Sequence, residues 1–117
     1  ALARLHICGD TNSILAHMAR TGCEIIDLDF PVRIANVRPT MGQQPIIAGS
    51  FNPVTVLLEG TAAQVMDACR MCHEAFGSRH IVCAGCEVPT HTPIENVRAM
   101  FTYARQARVY MEERESG

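Results

Sequence analysis

Apolar positions along this 117-residue chain follow two periods, and stretches of each alternate from end to end. Arg4–Cys8 reads as a short buried strand, and Gly9-Asp10-Thr11 leads into a helix over Asn12–Arg20. Asp10 or Thr11 is placed to cap that helix and Gly22 to end it. Glu24–Leu28 reads as a second strand. Pro31 suits the first turn of the next helix, and Pro39 limits how far it runs. Pro45–Gly49 is a third strand, followed by a turn at Asn52-Pro53 and a short helical piece over Val54–Leu58. Thr61 and Gln64 have capping-box spacing and open a helix expected to reach Phe76, with Gly77 as its stop. His80–Ala84 is a fourth strand. Thr92-Pro93-Ile94-Glu95 reads as a second capping box with Pro at the first helical position. Its helix continues through Met100 and Tyr103 toward Met111, and the polar tail Glu112–Gly117 reads as frayed.

Alternating strands and helices predict an α/β fold with a parallel sheet. Four strand-helix units make either a small open sheet or half of an eight-stranded barrel. Composition suits one packed domain over residues 1–117, with 48% hydrophobic and 19% charged residues. A net charge of −2 offers no broad nucleic-acid footprint, and the absence of Trp leaves no base-stacking platform. No apolar run reaches the length of a membrane span. The first residues lack both a secretory signal pattern and an initiator Met, so a piece of a longer cytoplasmic protein is expected.

The candidate chemistry lies in His6, Cys8 and Cys86. His-x-Cys puts two soft ligands on one side of an extended strand, because side chains alternate faces. A distant third thiol then closes three corners of a zinc tetrahedron and leaves the fourth open, as catalytic zinc sites do. Two Cys-x-x-Cys pairs, Cys69/Cys72 and Cys83/Cys86, offer a closed four-Cys rival. Against it, Val65, Cys69, Cys72 and Phe76 trace one apolar helix face, where Cys packs as a small core residue. Cys23 and Cys83 read as packing residues too, with Cys83 near the site. A disulfide framework is disfavoured, because several cysteines fall inside long apolar-periodic segments. His17 and His73 read as helix-face residues and His80 as a strand start. Asp10 reads as a cap, while Asp27 and Asp29 share one face of the second strand, where they could orient a ligand or bind substrate. His6 and Cys8 end the first strand and Cys86 follows the fourth, so the ligands gather at the carboxyl ends, where barrel enzymes place their chemistry.

Over nearly its whole length the chain resembles the later half of uroporphyrinogen decarboxylase-type barrels. The resemblance is carried by Leu5-His6-Ile7-Cys8-Gly9-Asp10-Thr11, Asp27-Leu28-Asp29, Ala48-Gly49-Ser50-Phe51-Asn52-Pro53, Glu59-Gly60-Thr61 and Thr92-Pro93-Ile94-Glu95-Asn96-Val97. The decarboxylases carry Gly-His before the final helix, where this chain has Gly85-Cys86. His-x-Cys followed much later by a single Cys resembles instead the zinc branch, which includes the methylcobamide:coenzyme M methyltransferases. That resemblance implies the C-terminal half of a TIM (β/α)8 barrel, with His6, Cys8 and Cys86 as zinc ligands. It further implies methyl transfer from a protein-bound methylated corrinoid to a thiol such as coenzyme M. Asp29, Ser50 and His91 are the candidate substrate-binding residues. The alternatives are a decarboxylase-type lyase in which Cys86 is structural, or a non-catalytic metal-binding fragment. The barrel's earlier half has no counterpart here, so this stretch is expected to be inactive alone and to self-associate through its open sheet edges.

Overall fold

The computed structural model describes the backbone of residues 2–116 and the side chains of residues 2–107. Its four strands are β1 (Arg4–Ile7), β2 (Ile25–Leu28), β3 (Ile46–Ala48) and β4 (His80–Ile81). All pair in parallel in the order β1-β2-β3-β4. Sequential order is the decisive detail. Right-handed crossovers that never reverse direction leave every helix on the same face of the sheet. The result is an arc of a barrel wall, as opposed to a doubly wound sheet, whose order reverses at a switch point.

The helical layer comprises α1 (Leu15–Ala19), α2 (Ile34–Met41), α3 (Ala62–Phe76) and α4 (Ile94–Ser116), each packed against the next. Short turns of 3-10 type (Asn12–Ile14) and π type (Pro53–Leu58) complete it. Register sorts the strand residues: Leu5, Ile26, Ile47 and His80 share the helix-facing side, and Arg4, His6, Asp27 and Ala48 the other. The core lies between sheet and helices, with Ile26, Leu28 and Ile47 meeting Leu15, Met18, Val37, Leu57, Val65 and Phe76. Val65, Cys69, Cys72 and Phe76 are all buried, as their helical spacing predicts. Each such large side chain contributes about 1.5–3 kcal/mol. Among the described residues, no helix is long and apolar enough to cross a membrane.

Several local expectations hold in atomic detail. Thr61 and Gln64 form the capping box, worth about 1 kcal/mol. Gly77 ends α3 at φ 78, a left-handed conformation that L side chains resist. Asp10 accepts from the Asn12 N–H at 2.9 Å, while the Thr11 hydroxyl is buried without a partner. Others are revised. Pro31 lies in the turn before α2, and Pro39 lies inside that helix. Pro39 has no N–H to donate to Ala35 O, and the helix runs only to Met41, where the Gly42 N–H closes the end on Arg38 O at 2.9 Å. Thr92 forms no capping box: its hydroxyl donates to Pro89 O at 2.7 Å. Asn96 anchors the start of α4 instead, its buried amide donating to Leu57 O and Gly60 O, both at 2.8 Å. The tail expected to fray from Glu112 is helical as far as Ser116, and Gly117 lies outside the described residues.

At the amino ends of the strands, the buried Arg38 guanidinium donates to four carbonyls. They belong to Phe76 (2.7 Å), Gly42 (3.0 Å), Pro45 (2.7 Å) and Arg79 (3.0 Å). One cation thus joins the ends of α2 and α3 to the starts of β3 and β4.

His80 supplies a pH-dependent part of the stability. Its Nε2 lies 2.9 Å from Gly49 O, its Nδ1 is buried without a partner, and its ring packs against Phe76 and His73. Burial pushes its pKa down to about 4, from an unperturbed 6.5. The folded state therefore binds the proton less readily, so this stability is present above pH 6.5 and is lost as pH falls toward 4. The difference corresponds to about 3 kcal/mol. Urea unfolding of the wild type is expected to weaken across this window, and His80→Phe to show a flatter dependence. Equal pH slopes in the two proteins would refute the assignment.

Candidate metal centre

Three ligand-bearing residues converge at the carboxyl end of the sheet. His6 lies within β1, Cys8 one residue beyond its end, and Cys86 in the segment after β4. His6 Nε2 lies 3.1 Å from Cys8 Sγ, and Cys8 Sγ lies 3.9 Å from Cys86 Sγ. All three ligand atoms fall within 4.8 Å of one another. The set opens onto a cavity of about 370 Å³ that Arg4, Asp27, Cys83, Glu87, Val88 and Met100 also line.

Two carboxylates build this arrangement, Asp27 within β2 and Asp29 one residue beyond its end. Period-two alternation puts Asp27 and Asp29 on the same face, and both are buried. Asp27 pairs in register with His6, and its Oδ1 lies 3.4 Å from His6 Nδ1. Asp29 lies one turn of the pleat further on. Its Oδ2 accepts from Gly9 N–H at 2.9 Å and its Oδ1 from Phe30 N–H at 2.8 Å. Gly85 packs directly on it: a Cβ there would lie 2.8 Å from Asp29 Oδ1 and 2.5 Å from Phe30 N. Asp29 therefore holds the residue after Cys8 and makes room for the residue before Cys86. Only glycine at 85 allows that approach.

The donor set suits zinc. Two thiols and an imidazole are ligands for a borderline-soft cation, and two sulfurs on one zinc stand about 3.8 Å apart in a regular tetrahedron. The observed 3.9 Å matches that edge. The Cys8 thiol is held above its ordinary pKa, chiefly by its contact with Cys86 and further by the Asp29 and Glu87 carboxylates. Clustered thiols and carboxylates disfavour thiolate until a cation offsets them, and a bound metal reverses that preference.

The rival four-Cys site is not assembled. Among the described residues the metal-capable cluster of His, Cys and acidic groups is the His6-Cys8-Cys86 set. Cys69 and Cys72 are buried in the core, and Cys72 Sγ accepts from Ser50 N–H at 3.4 Å. Burial pushes Cys69 up to about 12 and raises Cys72. Cys83 lines the cavity, and burial pushes it up to about 11. All six cysteines are free.

The candidate substrate-binding residues do not share the cavity wall. Asp29 turns both oxygens to backbone N–H groups. Ser50 is buried, with its Oγ unpartnered, beside a separate apolar cavity of about 190 Å³. His91 is exposed in the loop after Cys86, at φ 71. Arg4 is the site residue that spacing from His6 could have revealed, since it lies two positions earlier on the same face.

An arc of parallel strands carries an open imidazole-thiol cluster at its carboxyl end, a candidate metal site in the place where barrel enzymes put their chemistry. The chain belongs to the uroporphyrinogen decarboxylase (URO-D) family, whose sequence model matches residues 3–107. A methylcobamide:CoM methyltransferase of Methanosarcina mazei is 36% identical over 104 residues, covering 89% of this chain and 30% of that protein. A methylated-thiol–coenzyme M methyltransferase of the same organism is 33% identical over 95 residues, covering 81% of this chain and 25% of the relative. A uroporphyrinogen decarboxylase of Crocosphaera subtropica is 29% identical over 104 residues, covering 87% and 28%. The solved structure of a methyltransferase from Methanosarcina mazei superposes with TM-score 0.81 at 25% identity, covering 92% of this chain and 32% of that one. The chain thus spans about 30% of the length of the curated relatives it matches.

The two cysteine environments differ enough to measure. Under native conditions at pH 8, iodoacetamide is expected to modify Cys8 and Cys86 at least about 100-fold faster than Cys69. Peptide mass spectrometry reads this directly. Native labelling of Cys69 at the rate of Cys86 would sink its assignment to the core.

Proposed function

We propose that this chain carries the zinc site of a methyltransferase that moves a methyl group from a methylated corrinoid, held on a partner protein, to a thiol such as coenzyme M. The carrying observation is the convergence of His6 Nε2, Cys8 Sγ and Cys86 Sγ within 4.8 Å at an open cavity. Relatives named for methylcobamide:CoM and methylated-thiol transfer support the reading. Bound zinc supplies a Lewis-acidic centre that keeps a thiol ionised at neutral pH. The chain's own residues supply the rest. His6, Cys8 and Cys86 would hold the zinc, and the cavity beside them would admit a substrate thiol. Two thiolates and a neutral imidazole would offset the charge of the cation, which would leave a bound thiol nucleophilic. The group that moves is a methyl, so no side chain need shuttle a proton in that step. Cys83, Val88 and Met100 line the same cavity.

In this reading residues 1–117 are part of a larger barrel domain, four of its eight strand-helix units. Free cysteines suit a reducing compartment, and we place the protein in the cytoplasm. The outer edges of β1 and β4 are open, and Ile7 and Ile81 are exposed there. Taken alone, without the rest of the barrel, two copies of residues 1–117 associate through those edges.

Zinc loading tests the centre. About one zinc per chain is expected after exchange and desalting, with Cys86→Ala retaining little. Unchanged zinc content in Cys86→Ala would remove Cys86 from the ligand set, and demethylation of a methylcorrinoid by metal-free protein would remove the mechanism. Light scattering behind size exclusion is expected to give a dimer mass; a folded monomer would contradict the edge pairing.

A further inference from the structure

We propose that Arg4 and Asp27 are positioning residues that fix the proton and the orientation of His6, an inference that rests on the zinc reading of the site. The geometry assigns the two ring nitrogens different tasks. Nε2 lies 3.1 Å from Cys8 Sγ, inside the ligand cluster. Nδ1 lies 3.4 Å from Asp27 Oδ1, on the opposite side of the ring. That separation is at the long end for a hydrogen bond, so the carboxylate acts largely through its charge. A negative oxygen beside Nδ1 favours the tautomer that carries its proton there. The lone pair then stays on Nε2, where a metal must find it.

Arg4 completes the chain of contacts. Its Nε donates to Asp27 Oδ2 at 3.0 Å, and its Nη2 donates to the same oxygen. Both donors converge on Oδ2, which leaves Oδ1 turned to His6. The arrangement follows from strand geometry. Arg4 and His6 are two residues apart on β1, hence on one face, and Asp27 on β2 is in register with His6. A planar guanidinium holds the carboxylate plane in a way that an ammonium would not. Asp27 is buried, whereas the Arg4 side chain is 49% exposed at the cavity wall. The arginine therefore offsets the cost of a buried carboxylate while remaining outside the ligand set. Nothing in a pure cross-strand ion pair would require the second oxygen to face an imidazole.

The test uses the 117-residue chain with and without zinc. In the metal-free wild type at pH 8, 15N NMR of the histidine ring is expected to find the His6 proton on Nδ1. Asp27→Leu is expected to move most of it to Nε2, and Asp27→Glu to restore the wild-type pattern. Competition with a chromogenic chelator is expected to show zinc affinity falling about 10- to 100-fold in Asp27→Leu. Arg4→Met should weaken zinc binding in the same direction, and Asp27→Glu should recover it. A wild-type His6 protonated on Nε2 overturns the proposal, as does Asp27→Leu zinc affinity equal to wild type. If Asp27→Leu does not fold, Arg4→Met and the wild-type tautomer decide. A wild-type chain that binds no zinc overturns the functional reading, and the tautomer measured without metal separately decides whether Asp27 positions His6.

Discussion

The site depends on a pair of carboxylates at the carboxyl end of one short strand. Asp27 leaves β2 on the face that carries Arg4 and His6, and Asp29 follows one residue beyond the end of the strand. Buried carboxylates are costly unless satisfied, so each draws donors to itself. Asp27 gathers Arg4 and His6, and Asp29 gathers the backbone of Gly9 and Phe30. Gly85 then packs against Asp29 with no room for a side chain. These contacts bring an imidazole on β1, a thiol just beyond it and a thiol 78 positions further along the chain to one point. The ligands themselves contribute little to that convergence. Clustered thiols and carboxylates repel as anions, and the scaffold holds them together through groups that are not ligands.

The fold divides these tasks by face. On the helix side, apolar packing and the Arg38 carbonyl cluster give a rigid layer at the amino ends of the strands. On the other side and at the carboxyl ends lie the charged and soft groups, around a cavity of about 370 Å³. The separation also explains the two chemistries of cysteine in one small chain. Cys69 and Cys72 are apolar fillers on the helix side, where burial keeps them protonated. Cys8 and Cys86 are exposed at the mouth, where a thiol is available to a metal.

Much of this was legible in advance. Four strand-helix units, the Thr61/Gln64 capping box and the Gly77 stop all follow from local rules that tertiary contacts left intact. The buried face of α3 was legible from spacing alone, and that reading removed the four-Cys rival. Local rules failed where a partner outside the segment competed. Thr92 had a cap sequence, yet its hydroxyl found the Pro89 carbonyl, and Asn96 tied α4 to the π-type turn instead. Asp29 reads as a substrate contact from its strand-end position, and only the register of the neighbouring loops reveals that its oxygens face backbone donors.

The amino-acid order by itself determined the element types, the buried helix face and the three candidate soft ligands. It did so because those properties depend on spacing within one segment. Tertiary structure decided which carboxylate serves which neighbour, that Arg4 joins the site, and that Cys86 reaches Cys8. Those outcomes rest on strand register and on the close approach at Gly85, contacts between segments that spacing within one segment does not specify.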